Sequence, residues 1–264
     1  MKTSVIIATK NEQNNIKRLL ASLKKQTEKS CEIIVVDNYS QDKTREIAKK
    51  YTRHVYSKGK ERSQQRNYGL KKAKGQYVIF LDADMQLEKN VLKECIEKIR
   101  NKNTKGIIID EISNGKSYLA KIKNLEKELY RDQGEIEAAR FFRKKDLDKI
   151  GGYDDNLISG EDWDISIRTS KLGPLLRIKS KIIHNEEKTF WQDIKKKYYY
   201  AKNIERYAKK HPEEFKKQSG FFRFSNLFKK PAIIYHDPTV FAGLILLKSA
   251  QYFAYIISRW TKSK

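Results

Sequence analysis

Cysteine, proline and glycine are scarce in this chain of 264 residues, which contains 2 Cys, 4 Pro and 12 Gly. Cys31 and Cys95 form no Cys-x-x-Cys pair and no export signal stands at the start, so we expect a reduced, cytoplasmic protein. Neither G-x-G-x-x-G nor a P-loop follows the first predicted strand, which argues against a dinucleotide cofactor and against ATP hydrolysis. No internal repeat or low-complexity linker divides the chain.

Positive charge is the strongest bias in the composition. The chain has 57 Lys and Arg against 33 Asp and Glu, a formal net charge of +24, which indicates an anionic partner. Composition alone leaves nucleic acid, anionic lipid and phosphorylated substrates open. No nucleic-acid-binding motif is present, so we expect no nucleic-acid partner. The length suffices for one α/β domain with a sizeable core and an appendage.

Two carboxylates follow a strongly apolar stretch in the first half of the chain. Residues 77–81 are five consecutive apolar residues after Gly75, which predicts a buried strand, and Asp82 and Asp84 come directly after it. Ligands of an open α/β sheet bind beyond the carboxyl ends of its strands. Buried carboxylates are costly unless they are paired or bind a metal, so the two acids indicate a binding site. For Asp82 alone, a helix or turn cap is the alternative.

Strand and helix patterns alternate along the chain. We predict strands over residues 4–8, 32–36, 76–81, 106–110, 136–143, 175–178 and 181–184. We predict helices over residues 14–26, 43–51, 88–100, 117–130 and 190–210. This alternation predicts an α/β fold, with a mostly parallel central sheet flanked by helices and ligand-binding loops along one edge.

Several motifs occur in a fixed order along the chain. They are Thr-Lys-Asn-Glu at 9–12, Asp-Asn-Tyr-Ser-Gln-Asp at 37–42, Arg-Asn-Tyr-Gly at 66–69, Asp-Ala-Asp at 82–84, Gly-Gly-Tyr-Asp at 151–154 and Glu-Asp-Trp-Asp at 161–164. This ordered set resembles the inverting family-two glycosyltransferases over roughly the first 215 residues. The resemblance implies the GT-A fold, a nucleotide-sugar donor and a divalent metal, Mn²⁺ or Mg²⁺.

The resemblance also implies roles at the donor. It implies that Thr9 and Glu12 line the nucleotide pocket, that Asp37 accepts a hydrogen bond from the base, and that Asp82 contacts the donor. Arg66 is implied to lie near the base or the diphosphate, and Trp163 forms a wall of the sugar pocket or simply packs. A helix cap for Asp37 and a surface position for Arg66 are the alternatives.

Metal ligands and a catalytic base follow from the same resemblance. It implies that Asp84 and Asp82 hold the cation, that His184 is a third ligand, and that Gln86 reaches the metal as in dolichol-phosphate mannose synthases. Inverting transfer needs a base for the acceptor hydroxyl, which we assign to Asp162, with Glu161 beside it and contacting the acceptor.

Arg140 lies among apolar residues of the strand predicted over residues 136–143. A buried arginine needs an anion, so this residue binds the diphosphate or an acceptor phosphate, or forms a structural ion pair. The sequence leaves these alternatives open.

The C-terminal part of the chain is basic and aromatic. The helix predicted over residues 190–210 combines lysines with a tyrosine-rich stripe, and residues 240–260 are largely apolar with Lys248 in the middle. A charge is costly inside a bilayer, so we expect the second segment to lie on the inner face of the cell membrane or to pack on the domain. A single C-terminal anchor is the alternative.

The prediction is therefore a metal-dependent inverting glycosyltransferase that acts on a hydroxyl of a lipid-linked or surface-glycan acceptor. We expect a catalytic domain at residues 1–215, with a nucleotide half (1–110) and an acceptor half (111–215), and a basic helical, membrane-proximal extension at 216–264. A polyisoprenyl-phosphate glycosyltransferase is the rival prediction, although its acceptor is already an anion and needs no base. A nucleic-acid-binding protein is the distant alternative.

Overall fold

The computed structural model describes residues 2–115, 117–131, 137–185, 189–218, 230–231 and 237–261. The chain divides into two compact units. The first unit is built from residues 1–111, 138–156 and 161–185, and the second from residues 112–137, 157–160 and 186–264. The boundaries predicted at residues 110 and 215 stay predictions.

Strands and helices alternate as predicted over most of the chain. The strands are β1 Thr3–Thr9, β2 Cys31–Asp37, β3 Val55–Ser57, β4 Tyr77–Asp82, β5 Met85–Leu87, β6 Gly106–Ile108, β7 Glu111–Ser113, β8 Ala139–Arg143, β9 Leu175–Arg177 and β10 Ile182–His184. The helices are α1 Ile16–Lys24, α2 Thr44–Lys49, α3 Arg62–Lys72, α4 Val91–Ile99, α5 Tyr118–Tyr130, α6 Lys144–Lys149, α7 Glu161–Ser170, α8 Phe190–Asn203, α9 Glu205–Lys210, α10 Pro212–Lys217 and α11 Pro238–Trp260.

Seven strands of the first unit form one sheet in the order β3-β2-β1-β4-β8-β6-β9. β8 runs antiparallel to β4 and β6, whereas the pairs β1–β2, β1–β4, β2–β3 and β6–β9 are parallel. The register pairs Thr9 with Asp37 and Ala8 with Asp82. The carboxyl ends of β1, β2 and β4 therefore lie together at one edge of the sheet.

The core of the first unit lies on both faces of this sheet. Val5 and Ile7 of β1 belong to a cluster that includes side chains of α1 and α4. Ile6 belongs to a second cluster, with Leu70 of α3 and Ile165 of α7. A strand covered on both faces must be apolar at consecutive positions, which explains the unbroken apolar runs of β1 and β4.

Several boundaries differ from the prediction. The helix predicted over residues 190–210 is α8 followed by α9, with Ile204 between them, and the strand predicted from residue 136 begins at Ala139. Residue 136 itself lies outside the described residues. The sequence analysis did not predict β3, β5, β7, α3, α6 or α10, which are short or lack an apolar stripe.

The second unit has an apolar cluster of its own. Leu125 and Leu129 of α5 pack with Val240, Leu244 and Leu247 of α11. In the part of the chain that the structure describes, α11 is the one helix whose length and composition would allow it to cross a membrane.

Gly69 is required where α3 crosses β1, because a Cβ at this position would lie 2.4 Å from Cγ2 of Ile6. A Gly→Ala change inside an exposed helix stabilises a protein by roughly 0.5–1 kcal/mol. Here we expect Gly69→Ala to lower the free energy of unfolding by about 1–3 kcal/mol, because the site is overpacked. Urea unfolding followed by circular dichroism measures the change. The exposed Lys71→Ala variant on the same helix is the control. A Gly69→Ala protein as stable as the unaltered protein would show that α3 moves away from β1 at little cost.

Candidate active site

The loops after β1 and β2 are joined by polar contacts. Ser40 Oγ accepts a hydrogen bond from the backbone N–H of Asn11 at 2.7 Å, and Asn11 Oδ1 accepts one from the N–H of Gln41 at 2.9 Å. Thr44 Oγ1 accepts from the N–H of Glu12 at 2.7 Å. Asn11 has a φ of 53°, a left-handed conformation that asparagine tolerates better than most residues. The two loops therefore form one polar rim at the carboxyl edge of the sheet.

The three residues predicted for the nucleotide pocket lie on this rim. Thr9 is buried, and its hydroxyl has no hydrogen-bond partner among the described residues. Glu12 Oε2 accepts from the side chain of Asn15 at 2.7 Å. Asp37 is fully buried, and its carboxylate accepts from the N–H and the hydroxyl of Ser40. These contacts place the three residues together, and their predicted contacts with the nucleotide stay predictions.

Gln65 of α3 links the ends of two strands, and sequence analysis missed it. Its Nε2 donates to the carbonyl oxygens of Thr9 at 3.0 Å and Val36 at 2.6 Å. The side chain is buried, so it supplies a donor to carbonyl groups that water cannot reach. Its position directly before Arg66 is the only signal in the sequence that could have found it.

Arg66 is fully buried and contacts three carboxylates. Its Nη2 donates to Oδ1 of Asp82 at 2.9 Å and its Nη1 to Oδ1 of Asp162 at 2.7 Å. Nη1 also lies 3.4 Å from Oε1 of Glu161. The guanidinium carbon lies 5.0 Å from the ring centroid of Tyr153. One side chain of α3 therefore holds the acid that ends β4 and the two acids that begin α7.

These charges shift the pKa values of the acids around Arg66. Burial would raise the pKa of Asp82, but the positive charges of Arg66 and Arg62 outweigh it and hold that pKa well below its ordinary value. Burial, followed by the negative charge of Asp162, raises the pKa of Glu161, although the two arginines act in the opposite direction. Asp82 therefore stays ionised down to strongly acidic pH, whereas Glu161 takes up a proton more readily.

The two oxygens of Asp162 have different surroundings. Oδ1 accepts from Arg66 and also from the hydroxyl of Tyr153 at 3.0 Å. Oδ2 has no hydrogen bond from the described residues, and the side chain is 25% exposed. Asn67 fixes Tyr153 by donating to its carbonyl oxygen and accepting from its N–H, each at 2.8 Å. Asp162 is thus oriented through one oxygen while the other remains available to a ligand.

The remaining acid of α7 has a structural role. Asp164 is fully buried and pairs with Arg168 at 2.6 Å. The same guanidinium donates to the carbonyl oxygens of Ile150 and Gly152, each at 2.7 Å. This contact ties α7 to the loop that contains Gly151 and Gly152. Trp163 lies half-buried in the same first turn of the helix.

His184 lies between two carboxylates. Its Nε2 is 2.9 Å from Oε2 of Glu111, and its Nδ1 is 3.6 Å from Oδ1 of Asp84. Glu111 Oε1 accepts from both Nε and Nη2 of Arg140, each at 2.6 Å. Of the alternatives left open for Arg140, the structure shows an ion pair. Glu111 was missed, because nothing in the sequence distinguishes it from other single acids.

Gln86 was expected to reach the metal, and that role stays a prediction. It follows Met85 on β5, and the antiparallel register pairs Met85 with His184 and Gln86 with Ile183. Because side chains alternate along a strand, Gln86 and His184 project to opposite faces of this ribbon. Among the described residues, no three acidic, histidine or cysteine side chains form a complete metal-ligand set. Asp84 and His184 offer a carboxylate and an imidazole, and their role as metal ligands stays a prediction.

Comparison with known proteins identifies the family. Residues 4–151 match the family model for glycosyl transferase family 2. The poly(ribitol-phosphate) beta-N-acetylglucosaminyltransferase TarS of Staphylococcus aureus is 36% identical over 104 residues, which are 36% of this chain and 18% of that protein. A dolichol-phosphate mannosyltransferase of Pyrococcus furiosus is 36% identical over 108 residues, 38% of this chain and 31% of that protein. The chain therefore spans less than a third of either relative.

Solved structures show the same fold. The structure of S. aureus TarS residues 1–349 in complex with UDP-GlcNAc has a TM-score of 0.59 at 23% identity, covering 77% of this chain and 66% of that one. The structure of a mannosyltransferase from Pyrobaculum calidifontis in complex with GDP-Man and Mn²⁺ has a TM-score of 0.65 at 15% identity, covering 99% and 88%. The chain thus belongs to glycosyl transferase family 2, and the prediction of a glycosyltransferase domain with the GT-A fold is confirmed.

Proposed function

We propose that this protein transfers a sugar, with inversion, from a nucleoside-diphosphate sugar to a hydroxyl of a lipid-linked or surface-glycan acceptor, with the help of a divalent cation. The observation that carries the proposal is the position of Arg66. Its buried guanidinium holds Asp82 at the end of β4 and Asp162 at the start of α7. The acid expected at the donor and the acid expected to act as base are thereby fixed in one site.

The polar rim at the carboxyl edge of the sheet is suited to a nucleotide. Thr9 offers a hydroxyl that has no hydrogen bond to the described residues, and the carboxylate of Asp37 can accept more hydrogen bonds than the two that Ser40 donates. The similar solved structures contain UDP-GlcNAc in one case and GDP-Man in the other. Both are nucleoside-diphosphate sugars, which supports the class of donor and leaves the base and the sugar open.

Asp84 and His184 are the residues that would hold the cation. Glu111 binds Nε2 of His184, so that Nδ1 is directed towards Asp84, and such partners typically orient metal-binding histidines. Two protein ligands suffice when a donor diphosphate supplies the others, which is how Mg²⁺ is usually bound in phosphate-transfer sites. The cation would stabilise the negative charge that develops on the departing diphosphate. The Mn²⁺ present with the P. calidifontis enzyme supports this assignment.

Asp162 is suited to take the proton from an acceptor hydroxyl. Arg66 and Tyr153 hold its Oδ1, which leaves Oδ2 to face the acceptor in a fixed orientation. A polyisoprenyl-phosphate acceptor would need no base, and Gln86, which favoured that rival, projects away from His184. A hydroxyl acceptor therefore fits the site better. Glu161 lies beside the base, where its proposed role is contact with the acceptor.

The second unit supplies a surface suited to an anionic membrane. The side chains of Leu246, Phe253, Ile257 and Trp260 are each more than half exposed and form an apolar stripe along α11. Lys248 is not on this stripe, since its ammonium binds Glu126 of α5 and lies over the ring of Tyr130. On α8, exposed Trp191 and Tyr199 accompany exposed lysines. Such a surface suits a helix that lies along the lipid headgroups on the inner face of the cell membrane.

Asp84→Ala is expected to abolish transfer and Mn²⁺-dependent donor binding, because the cation loses its principal carboxylate. A thermal-shift screen of UDP-, GDP- and dTDP-sugars with and without Mn²⁺ measures the effect, since a ligand that binds only the folded state raises its stability. Gln86→Ala is the matched control, and it should keep the Mn²⁺-dependent shift. Full activity of Asp84→Ala in the presence of a chelator would contradict the metal assignment.

Asp162→Asn should keep donor and metal affinity and lower turnover by about 10²-fold or more, the usual scale for loss of a general base. Asparagine preserves the shape of the side chain, and Arg66 retains Asp82 and Glu161 as partners. Single-turnover transfer assays and donor titrations separate the two effects, with the exposed Glu97→Gln variant as control. Weak donor binding with unchanged turnover would make Asp162 a donor-binding residue.

Replacing Leu246, Phe253 and Ile257 together with serine should reduce binding to anionic vesicles by at least about tenfold, because buried side chains of this size contribute roughly 1.5–3 kcal/mol each. Ser249 is exposed on the same face, so Ser249→Leu should strengthen binding. Co-sedimentation at low and high salt measures both variants, and thermal melting checks that they remain folded. Extraction only by detergent, with no effect of salt, would instead indicate a membrane-spanning helix.

A further inference from the structure

A basic cavity lies at the edge of the sheet opposite to the candidate active site, within the first unit. Its volume is about 540 Å³, and it lies beside the start of β4, the end of β8 and the end of α4. Six of the residues that line it are cationic: Lys74, Arg100, Lys102, Arg143, Lys144 and Lys145. Asp148 is the one acid in its lining.

Most of this positive charge is not neutralised by the protein. Asp148 pairs with Lys144 at 2.8 Å, and the buried guanidinium of Arg143 donates to backbone carbonyl oxygens, among them those of Thr104 and Asn101. The other four cations, Lys74, Arg100, Lys102 and Lys145, are exposed and have no carboxylate partner in the part of the chain that the structure describes. Like charges around one concavity repel each other, and an anion bound between them would relieve that repulsion.

One wall of the cavity is fixed in place by buried polar contacts. The N–H of Gly75 donates to Ser4 Oγ at 2.8 Å, and the N–H of Lys74 donates to Glu32 Oε1 at 2.7 Å. A Cβ at Gly75 would lie 2.6 Å from the backbone nitrogen of Ser4, so only glycine allows this close approach. The loop before β4 is thus held against β1. The backbone at Lys74 therefore does not have to move for its side chain to contact an anion in the cavity.

The cavity is separate from the donor site. Five residue steps of β4 lie between Tyr77, in the cavity wall, and Asp82, in the active site, which correspond to roughly 17 Å at about 3.3 Å per residue. A nucleotide sugar bound at the carboxyl edge of the sheet would not extend to the opposite edge. An anion in the cavity is therefore a second molecule or a distant part of an extended acceptor.

We propose that this basic cavity is an anion-binding site for phosphate groups, distinct from the donor site. The exposed lysine and arginine heads suit phosphate oxygens, and the concave wall concentrates their field. Two sources supply this chemistry: a free polyphosphate compound, or phosphate groups spaced along a phosphodiester-linked acceptor chain. Only the second source rests on the function proposed above.

Titration calorimetry with inorganic tripolyphosphate tests the site without any transfer reaction. The titration uses the full chain at low salt. A chelator is present, so that no divalent metal cation draws the probe to Asp84. The double variant Lys102→Gln/Lys145→Gln should bind at least about tenfold more weakly than the unaltered protein. Lys49→Gln/Lys50→Gln removes the same charge from exposed positions at the C-terminal end of α2, outside the cavity, and it should bind like the unaltered protein. Asp84→Ala should also leave this binding unchanged, which separates the site from the donor site.

Equal losses in the two double variants would overturn the proposal, since the probe would then respond only to net charge. Unchanged binding in Lys102→Gln/Lys145→Gln would overturn it as well. Poly(ribitol phosphate), a phosphodiester polymer, distinguishes the sources. Polymer binding that weakens in the cavity variant supports the site and assigns it to an acceptor chain, whereas binding of tripolyphosphate alone supports the site and assigns it to a free polyphosphate.

Discussion

The ion cluster around Arg66 is the constraint on which the candidate active site depends. A guanidinium that is fully removed from water is costly to bury unless its charge is matched, and Asp82, Asp162 and Glu161 supply that match. The cluster in turn requires α3 to lie close against the sheet. Gly69 permits that approach to β1, while the neighbouring Gln65 and Asn67 anchor the helix to the strand ends and to the Tyr153 loop.

Much of the first unit could be predicted from its sequence. The continuous apolar runs of β1 and β4 identify strands covered on both faces, and polar loops after such strands mark a ligand-binding edge. The order of the motifs then favoured one family over other α/β enzymes. Helix α3 could not be predicted in this way, because its buried side chains include Ser63, Gln65 and Arg66 and it therefore shows no apolar stripe.

Contacts between polar residues that lie far apart in the sequence were the other limit on what could be predicted. Glu111 meets His184 and Arg140 only because three separate segments converge, and no local pattern distinguishes it from an exposed acid. Arg66 was expected near the base or the diphosphate, which stays a prediction, and its ion pairs with the acids of β4 and α7 were not foreseen. The direction of a long side chain depends on where its counter-charges lie in space, which spacing along a chain does not encode. The alternation of side chains along β5, by contrast, is enough to place Gln86 and His184 on opposite faces of the β5–β10 ribbon.

The packing of α5 against α11 has a consequence for how the protein is made. α5 leaves the ribosome long before α11, so its apolar side chains Leu125 and Leu129 have no cover from α11 until that helix has been synthesised. Uncovered apolar surface on a partly synthesised chain invites aggregation or capture by chaperones. A stop codon or a frameshift before α11 would therefore leave α5 without its packing partner, and nascent chains arrested before α11 should be the ones most dependent on chaperones.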